Sequence, residues 1–287
     1  MAHLIAYVGN EPERLGCALF SARGALYSRG NGKRHGWALG FVQHGDVLLQ
    51  KRPRADAAEV DIYALAHDLK ADALIARVGF DHAGAASAEN ADPFRYRSWL
   101  FGSVGSVPGF EAIRDKMVEA TPDFLRRNIR GKSASEHLFH LFLAKLHEDG
   151  ILDQPSPDPR RVRHAMWGML SFTNELIQTH ASGQADPNGH GLELALVATT
   201  GRCLVATAAS HPLQYLRVEG IADCPICQGR ANPEAESRPI AHDALRAVII
   251  EANPEAQGRA GWRPVHDRTA ILVGPDRVAQ VVPLADE

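Results

Sequence analysis

Met1-Ala2-His3-Leu4-Ile5-Ala6-Tyr7-Val8-Gly9 opens the chain. Leu4 to Val8 is an unbroken apolar run of strand length, ended by Gly9 and Asn10, so it reads as a short buried strand. No basic segment precedes the run, and it is too short for a secretory signal, so it is expected to belong to the fold. Reading outward, Trp37-Ala38-Leu39-Gly40-Phe41-Val42-Gln43 and Val47-Leu48-Leu49-Gln50 form a hairpin about the tight turn His44-Gly45-Asp46, with Pro53 closing the pair. Residues 57–70 read as mainly helical, with Val60, Ala64, Leu65 and Leu69 on one face. Ala73 to Val78 is the next strand. Gly79 to Pro93 reads as an irregular loop carrying Asp81, His82, Glu89 and Asn90, and Trp99 to Val104 returns as a strand.

The period then changes. Pro108 precedes Phe110, Ile113, Met117 and Val118 at helical spacing, and Ser133 with Glu136 resembles a capping box before Leu138, Phe139, Leu141, Phe142 and Leu146. A proline-rich connection at 153–159 leads to a long helix from Arg160 to about Gln178. The last third returns to strands at 192–199, 202–208, 213–218, 247–251, 269–273 and 278–282, with a polar loop at 221–242. Strands, then helices, then strands, without a βαβα alternation, argue for an α+β fold. Two mainly antiparallel sheets would pack face to face with helices covering their outer faces, a four-layer αββα sandwich formed by residues 1–287 as one domain.

The chain has 287 residues, 45% hydrophobic and 23% charged, with a formal net charge of -3. That balance excludes a disordered or fibrous chain and a strongly basic nucleic-acid module. No run approaches the roughly 18–20 apolar residues that span a bilayer. Four cysteines are too few for a disulfide scaffold and fit a reducing compartment, so the expected location is cytoplasmic. The basic tract Arg126 to Lys132 reads as a solvated helix end. There is no dinucleotide fingerprint, Walker sequence or His-Glu-x-x-His, and the expected cofactor complement is none.

Cys17 reads as a buried core cysteine. Cys224-Pro225-Ile226-Cys227 supplies two thiols at metal-binding spacing, but structural zinc usually takes four ligands. Cys203, His211 and His242 could complete a set only if folding brought them together. The default reading leaves these thiols unliganded.

Taken together, the motifs resemble the class II glutamine amidotransferase domain, of the N-terminal nucleophile hydrolase superfamily. The first strand ends in a Tyr-x-Gly match at Tyr7-Val8-Gly9, and the glycine-rich hairpin corresponds to His35-Gly36-Trp37-Ala38-Leu39-Gly40-Phe41. The arginine strand corresponds to Ala76-Arg77-Val78, an Asn-x-x-Pro-Phe segment to Asn90-Ala91-Asp92-Pro93-Phe94, and the following strand to Trp99-Leu100-Phe101. The resemblance implies the αββα fold. It also implies a mechanism in which an N-terminal cysteine attacks the γ-amide of glutamine and its own α-amine, of pKa near 8, acts as base. An asparagine side chain and a glycine N–H hold the oxyanion, and an arginine and an aspartate hold the substrate's α-carboxylate and α-amine.

Mapped onto this chain, three of those parts are missing. The nucleophile position is Ala2, the oxyanion asparagine falls on Val104 beside the surviving Gly105, and the substrate-amine aspartate falls on Ala134. Arg77 survives and could hold a carboxylate bidentately. Asp81 and His82, at the end of its strand, complete the candidate ligand-binding set. Whether the chain is an enzyme stays open, but conventional glutaminase activity is not expected. The first reading is a degenerate amidotransferase-like protein that binds a protein partner, a second copy of itself or a carboxylate-bearing small molecule, with no nucleic acid or membrane partner, as a subunit of a biosynthetic or enzyme complex. The alternative is a hydrolase or amidotransferase acting on glutamine or a γ-glutamyl compound with altered catalytic residues.

Overall fold

The apolar run at the N-terminus forms β1 (His3–Gly9), all seven of whose residues are buried. The computed structural model describes residues 3–29, 35–57, 59–79, 87–181, 191–230, 240–252 and 258–285. The remaining strands are β2 (Tyr27–Arg29), β3 (His35–Gln43), β4 (Asp46–Ala57), β5 (Glu59–Asp61), β6 (Ala73–Val78), β7 (Phe94–Tyr96), β8 (Trp99–Ser106), β9 (Glu193–Thr199), β10 (Leu204–Ala209), β11 (Leu213–Glu219), β12 (Arg246–Ala252), β13 (Trp262–Val265), β14 (Thr269–Val273) and β15 (Ala279–Pro283). The helices are α1 (Leu15–Phe20), α2 (Ile62–Ala66), α3 (Phe110–Glu119), α4 (Asp123–Arg126), α5 (Ala134–Glu148), α6 (Pro159–His180) and α7 (Pro225–Arg230).

Among the described residues the strands make two large antiparallel sheets. One runs β13-β11-β12-β1-β6-β3-β4, and the other runs β15-β14-β10-β9-β8-β7, with β2 and β5 pairing separately. Strand alternation assigns each face. Leu4, Ala6 and Val8 of β1 point between the sheets and meet Leu100, Val104, Val197 and Ala206. Ile5 and Tyr7 point the other way, against Leu15, Leu19, Ile62 and Tyr63 of the α1 and α2 layer. On the far side, Trp99 and Phe101 of β8 pack with Phe139, Phe142, Met166 and Met169 of α5 and α6. The result is the αββα arrangement of two sheets between helical layers. No helix among the described residues is long and apolar enough to cross a membrane.

Local chemistry explains the boundaries. His44 and Gly45 both take positive φ, as a two-residue hairpin between β3 and β4 requires. Asp61 accepts the Ala64 N–H and starts α2, and Asp158 accepts the Arg160 N–H at the start of α6, where Pro159 occupies the first turn. Ser133 Oγ accepts the Glu136 N–H at 3.3 Å and caps α5.

Three expectations need correction. Pro53 does not close the first hairpin, because β4 runs on through it to Ala57. Proline is tolerated there since β4 is an edge strand and the ladder shifts register opposite His35 and Trp37. Residues 57–70 are not mainly helical. Glu59–Asp61 pairs with Tyr27–Arg29, and the Asp61 cap delays the start of the helix to Ile62, from which it runs for five residues. Finally, 221–242 is not wholly loop, since it contains α7.

Candidate functional site

Arg77 lies at the end of β6, beside Leu4 of β1 and Ala38 of β3 in the ladder, and Ala38 in turn lies beside Lys51 of β4. Arg77 is two residues beyond Ile75, which belongs to the core between the sheets, so alternation aims its side chain into that same space. Two cations therefore face the gap from one row of the first sheet. Their countercharge comes from the segment leading into the second sheet. Arg77 Nε lies 3.3 Å from Asp92 Oδ1, with both side chains more than nine-tenths buried. Asp92 Oδ2 accepts the Ser103 N–H of β8 at 2.8 Å, so one carboxylate ties the two sheets together. Lys51 Nζ donates to the Ala88 and Ala91 carbonyls of the same segment. Burial pulls the Lys51 amine down to about 8, against the opposing pull of Asp92 and Glu136.

The polar chain continues toward α5. Ser103 Oγ donates to Ser135 Oγ at 2.7 Å. The Glu136 carboxylate accepts the Arg130 and Gly131 N–H groups at 2.8 and 2.6 Å, and Asn90 Oδ1 accepts the Lys132 N–H at 2.6 Å. These bonds hold the 87–93 and 130–136 segments against each other.

Two of the positions read as degenerate are well defined. The Val104 side chain is 3% exposed and packs in the core between the sheets. It occupies apolar space and offers no hydrogen-bond donor. Gly105 has φ +119, and a Cβ there would stand 1.9 Å from the Glu193 carbonyl oxygen and 2.8 Å from His211 Cδ2. Only glycine fits, and His211 sits directly against it. Burial lowers the His211 pKa. Glu193 opposes that effect and Arg77 adds to it, so the ring shares the electrostatic environment of Arg77. The sequence suggests His211 only as a member of a metal set; its position beside Gly105 depends on the β9 register and the turn into β11, which no local motif encodes. Ala134 is the first residue of α5 and packs on the core of the helical layer. Ala2, Asp81 and His82 lie outside the described residues.

The opposite face of the β1 terminus carries a buried network absent from the sequence reading. Glu251, fully buried on β12, meets His3 Nε2 at 3.0 Å, and its carboxylate accepts bonds from Gln214 Nε2 and, at 2.8 Å, from Arg259 Nη2. Burial alone would raise the Glu251 pKa, but the bonds from His3, Arg259 and Gln214 outweigh it and hold the carboxyl below its usual range. The network anchors the start of β1 to β11 and β12.

The cysteines divide into two groups. Cys203 is fully buried beside Thr200, and burial pushes its thiol up to about 11, the state of an inert core thiol. Cys17, Cys224 and Cys227 converge with His242, while neither Cys203 nor His211 joins them.

No protein-family model matches the chain. Over 119 residues, 42% of this chain, it is 32% identical to the probable glutamine amidotransferase DUG3 of Saccharomyces cerevisiae; the match spans 31% of that protein's length. Among solved structures, a glutamine aminotransferase class-II domain protein from Silicibacter pomeroyi superposes with a TM-score of 0.59 at 16% identity, covering 99% of this chain and 100% of that one. A predicted glutamine amidotransferase from Pseudomonas aeruginosa gives 0.54 at 15% identity, covering 97% and 95%. The chain has the class II glutamine amidotransferase-like fold of the N-terminal nucleophile hydrolases, and its sequence carries Ala2 where that architecture is expected to carry cysteine.

Proposed function

We propose that the chain is a degenerate glutamine amidotransferase-like protein without glutaminase activity. In this reading residues 1–287 act as one cytoplasmic domain that serves as a partner-binding or ligand-binding subunit of an enzyme complex. The observation that carries the reading is the state of the Arg77 end of the sheets. Arg77 is engaged by Asp92, and Val104 fills apolar space where an oxyanion donor is expected. With Ala2 in the sequence, the nucleophile, one oxyanion donor and the substrate-amine carboxylate are all lacking. A carboxylate-bearing ligand at Arg77 would have to share the guanidinium with Asp92.

The test is release of ammonia or glutamate from glutamine and from γ-glutamyl amides by the purified chain. No turnover above the blank is expected, and turnover that copurifies with the chain through successive columns overturns the reading. Ala2→Cys is expected to stay inactive, because restoring a nucleophile leaves the oxyanion position at Val104 without a donor, and one such donor is worth about 10²–10³ in kcat. The second reading, an enzyme with altered residues, is favoured by His211 lying against Gly105 and within the field of Arg77. Hydrolysis of a γ-glutamyl compound that is lost in His211→Gln, with the fold intact by circular dichroism, would establish it.

A further inference from the structure

Cys17 lies on α1, Cys224 immediately before α7, Cys227 within α7, and His242 in the turn that leads to β12. One ligand atom from each lies within 4.8 Å of every other. Cys17 Sγ is 3.6 Å from Cys227 Sγ, and Cys227 Sγ is 3.3 Å from His242 Nε2. Zinc–sulfur bonds of about 2.3 Å and zinc–nitrogen bonds of about 2.0–2.1 Å in a tetrahedron place two sulfurs about 3.8 Å apart and sulfur and nitrogen about 3.6 Å apart. Both measured separations fall within about 0.3 Å of those edges, and the 4.8 Å limit on every other pair leaves the four donors close enough to share one ion. We propose that Cys17, Cys224, Cys227 and His242 bind a single structural zinc ion.

The surroundings support a closed metal site over three chance core thiols. Cys17, Cys224 and His242 are buried and Cys227 is half-buried, so four protein ligands leave no open position for a substrate. The backbone shapes the site independently of the side chains. His242 and Ile221 exchange both of their backbone hydrogen bonds, at 2.7 and 3.2 Å, and the Cys224 N–H donates to the Ile240 carbonyl at 2.9 Å. The Gln228 N–H donates to the Cys224 carbonyl, which winds the Cys-Pro-Ile-Cys segment into a turn with both sulfurs on one side. Three thiolates and a neutral imidazole around a divalent cation leave one net negative charge. Arg14 answers it, with Nη1 donating to Cys227 Sγ at 3.5 Å.

Soft sulfur donors with one imidazole in a tetrahedral arrangement select zinc over magnesium or calcium, and the close mutual spacing suits one ion, with no room for a multi-iron cluster. The role follows from position. Of the described residues in this segment, 221–230 and 240–242, the apolar ones that reach the outer core are Ile221 and Ile226, with Cys224 buried beside them. A four-ligand ion would pin this segment to α1, across more than 200 residues of sequence, and complete the helical cover over the outer face of β1.

The measurement is metal content of the untagged full chain by plasma mass spectrometry, followed by exchange with cobalt(II). One zinc per chain is expected, with intense thiolate-to-cobalt bands and a tetrahedral ligand-field spectrum on exchange. Stripping with a strong chelator should lower Tm by on the order of 10 °C, reversed by zinc. Cys203→Ser should keep the full stoichiometry, while Cys224→Ser should lose the metal or shift the cobalt spectrum. A chain that takes up neither zinc nor cobalt under reducing conditions overturns the proposal, as does a Cys17–Cys227 or Cys224–Cys227 disulfide in protein purified without reductant and with zinc present. These readouts concern metal alone, so their failure would leave the glutaminase reading untouched.

Discussion

The Arg77 end of the gap between the sheets and the Cys17 cluster beneath the outer helices are both polar sites built from distant parts of the chain, but their charges are settled differently. At Arg77 the protein supplies both signs: Asp92 meets the guanidinium, the Asp92 carboxylate also takes the Ser103 N–H, and Val104 adds a hydrocarbon side chain to the core between the same sheets. At the cluster three thiols and an imidazole face one another, and Arg14 is the cation in contact with them. The first site is internally balanced, and the second is organised as a donor set. A charged residue picked out by resemblance can thus have its countercharge inside the fold, while donor atoms can converge where no family motif marks them.

The sharpest way to break this contrast is to unbalance the first site. Asp92→Ala removes the carboxylate from a buried guanidinium and from the Ser103 N–H, and should cost about 3–5 kcal/mol in denaturant unfolding. Asp92→Asn keeps an oxygen acceptor for Ser103 and should cost less. A loss below about 1 kcal/mol in Asp92→Ala would show that Asp92 does not join the sheets. Gly105→Ala ranks next. The added methyl would meet the Glu193 carbonyl at 1.9 Å on a backbone at φ +119, so steric overlap and strain together predict a loss of about 3 kcal/mol. An undisturbed Gly105→Ala variant would mean that the β8–β9 pairing relaxes freely. Neither variant should change zinc stoichiometry.

The second site is tested more gently from outside its ligand set. Arg14→Ala should weaken zinc retention about 10–100-fold in competition with a chromophoric chelator, the usual effect of losing an outer-shell partner. Arg14→Lys should fall between it and the wild type. If Arg14→Ala holds zinc as tightly as the wild type, the guanidinium does not complete the charge of the site.

What could be read in advance follows the range of the interactions. The β1 run, the His44-Gly45 turn, the Ser133 cap and the apolar stripes of α3, α5 and α6 are local patterns, and the structure keeps them. The short β5 was hidden because Val60, Ala64, Leu65 and Leu69 imitate a helical stripe, whereas the Asp61 cap and pairing with β2 decide the segment. The site was legible as single residues and not as contacts. Arg77 could be picked out, but its tie to Asp92 depends on how the 87–93 segment meets the first sheet. Cys17 read alone is a core cysteine, and its convergence with Cys227, 210 residues away, requires the antiparallel placement of β12 beside β1. Cys224 and Cys227 announced themselves by spacing, and His242 by nothing local.

The smallest effect concerns pH and separates His211 from the rest of the gap. Burial lowers the pKa of His211 and of His140 below the ordinary value of 6.5. Such a group favours its neutral form in the folded chain, so the stability it contributes is present above pH 6.5. That contribution is lost as pH falls through the depressed folded value, because the unfolded chain takes up the proton first. Glu193 and Arg77 act on His211 in opposite directions, and His137 adds to the depression at His140. The denaturation midpoint should therefore fall as pH drops from about 7 toward 5, and His211→Gln should make that fall shallower while His140 supplies the remainder. The Glu251 carboxyl, held below its usual 4.5, acts only in a more acidic window, and any acid response of the cysteine cluster cancels when variant and wild type are compared at the same pH. An unchanged slope in His211→Gln would mean that the ring beside Gly105 is open to water and protonates freely. The Arg77 end of the gap would then be accessible to a charged ligand, and the contrast between a filled site and a donor set would give way.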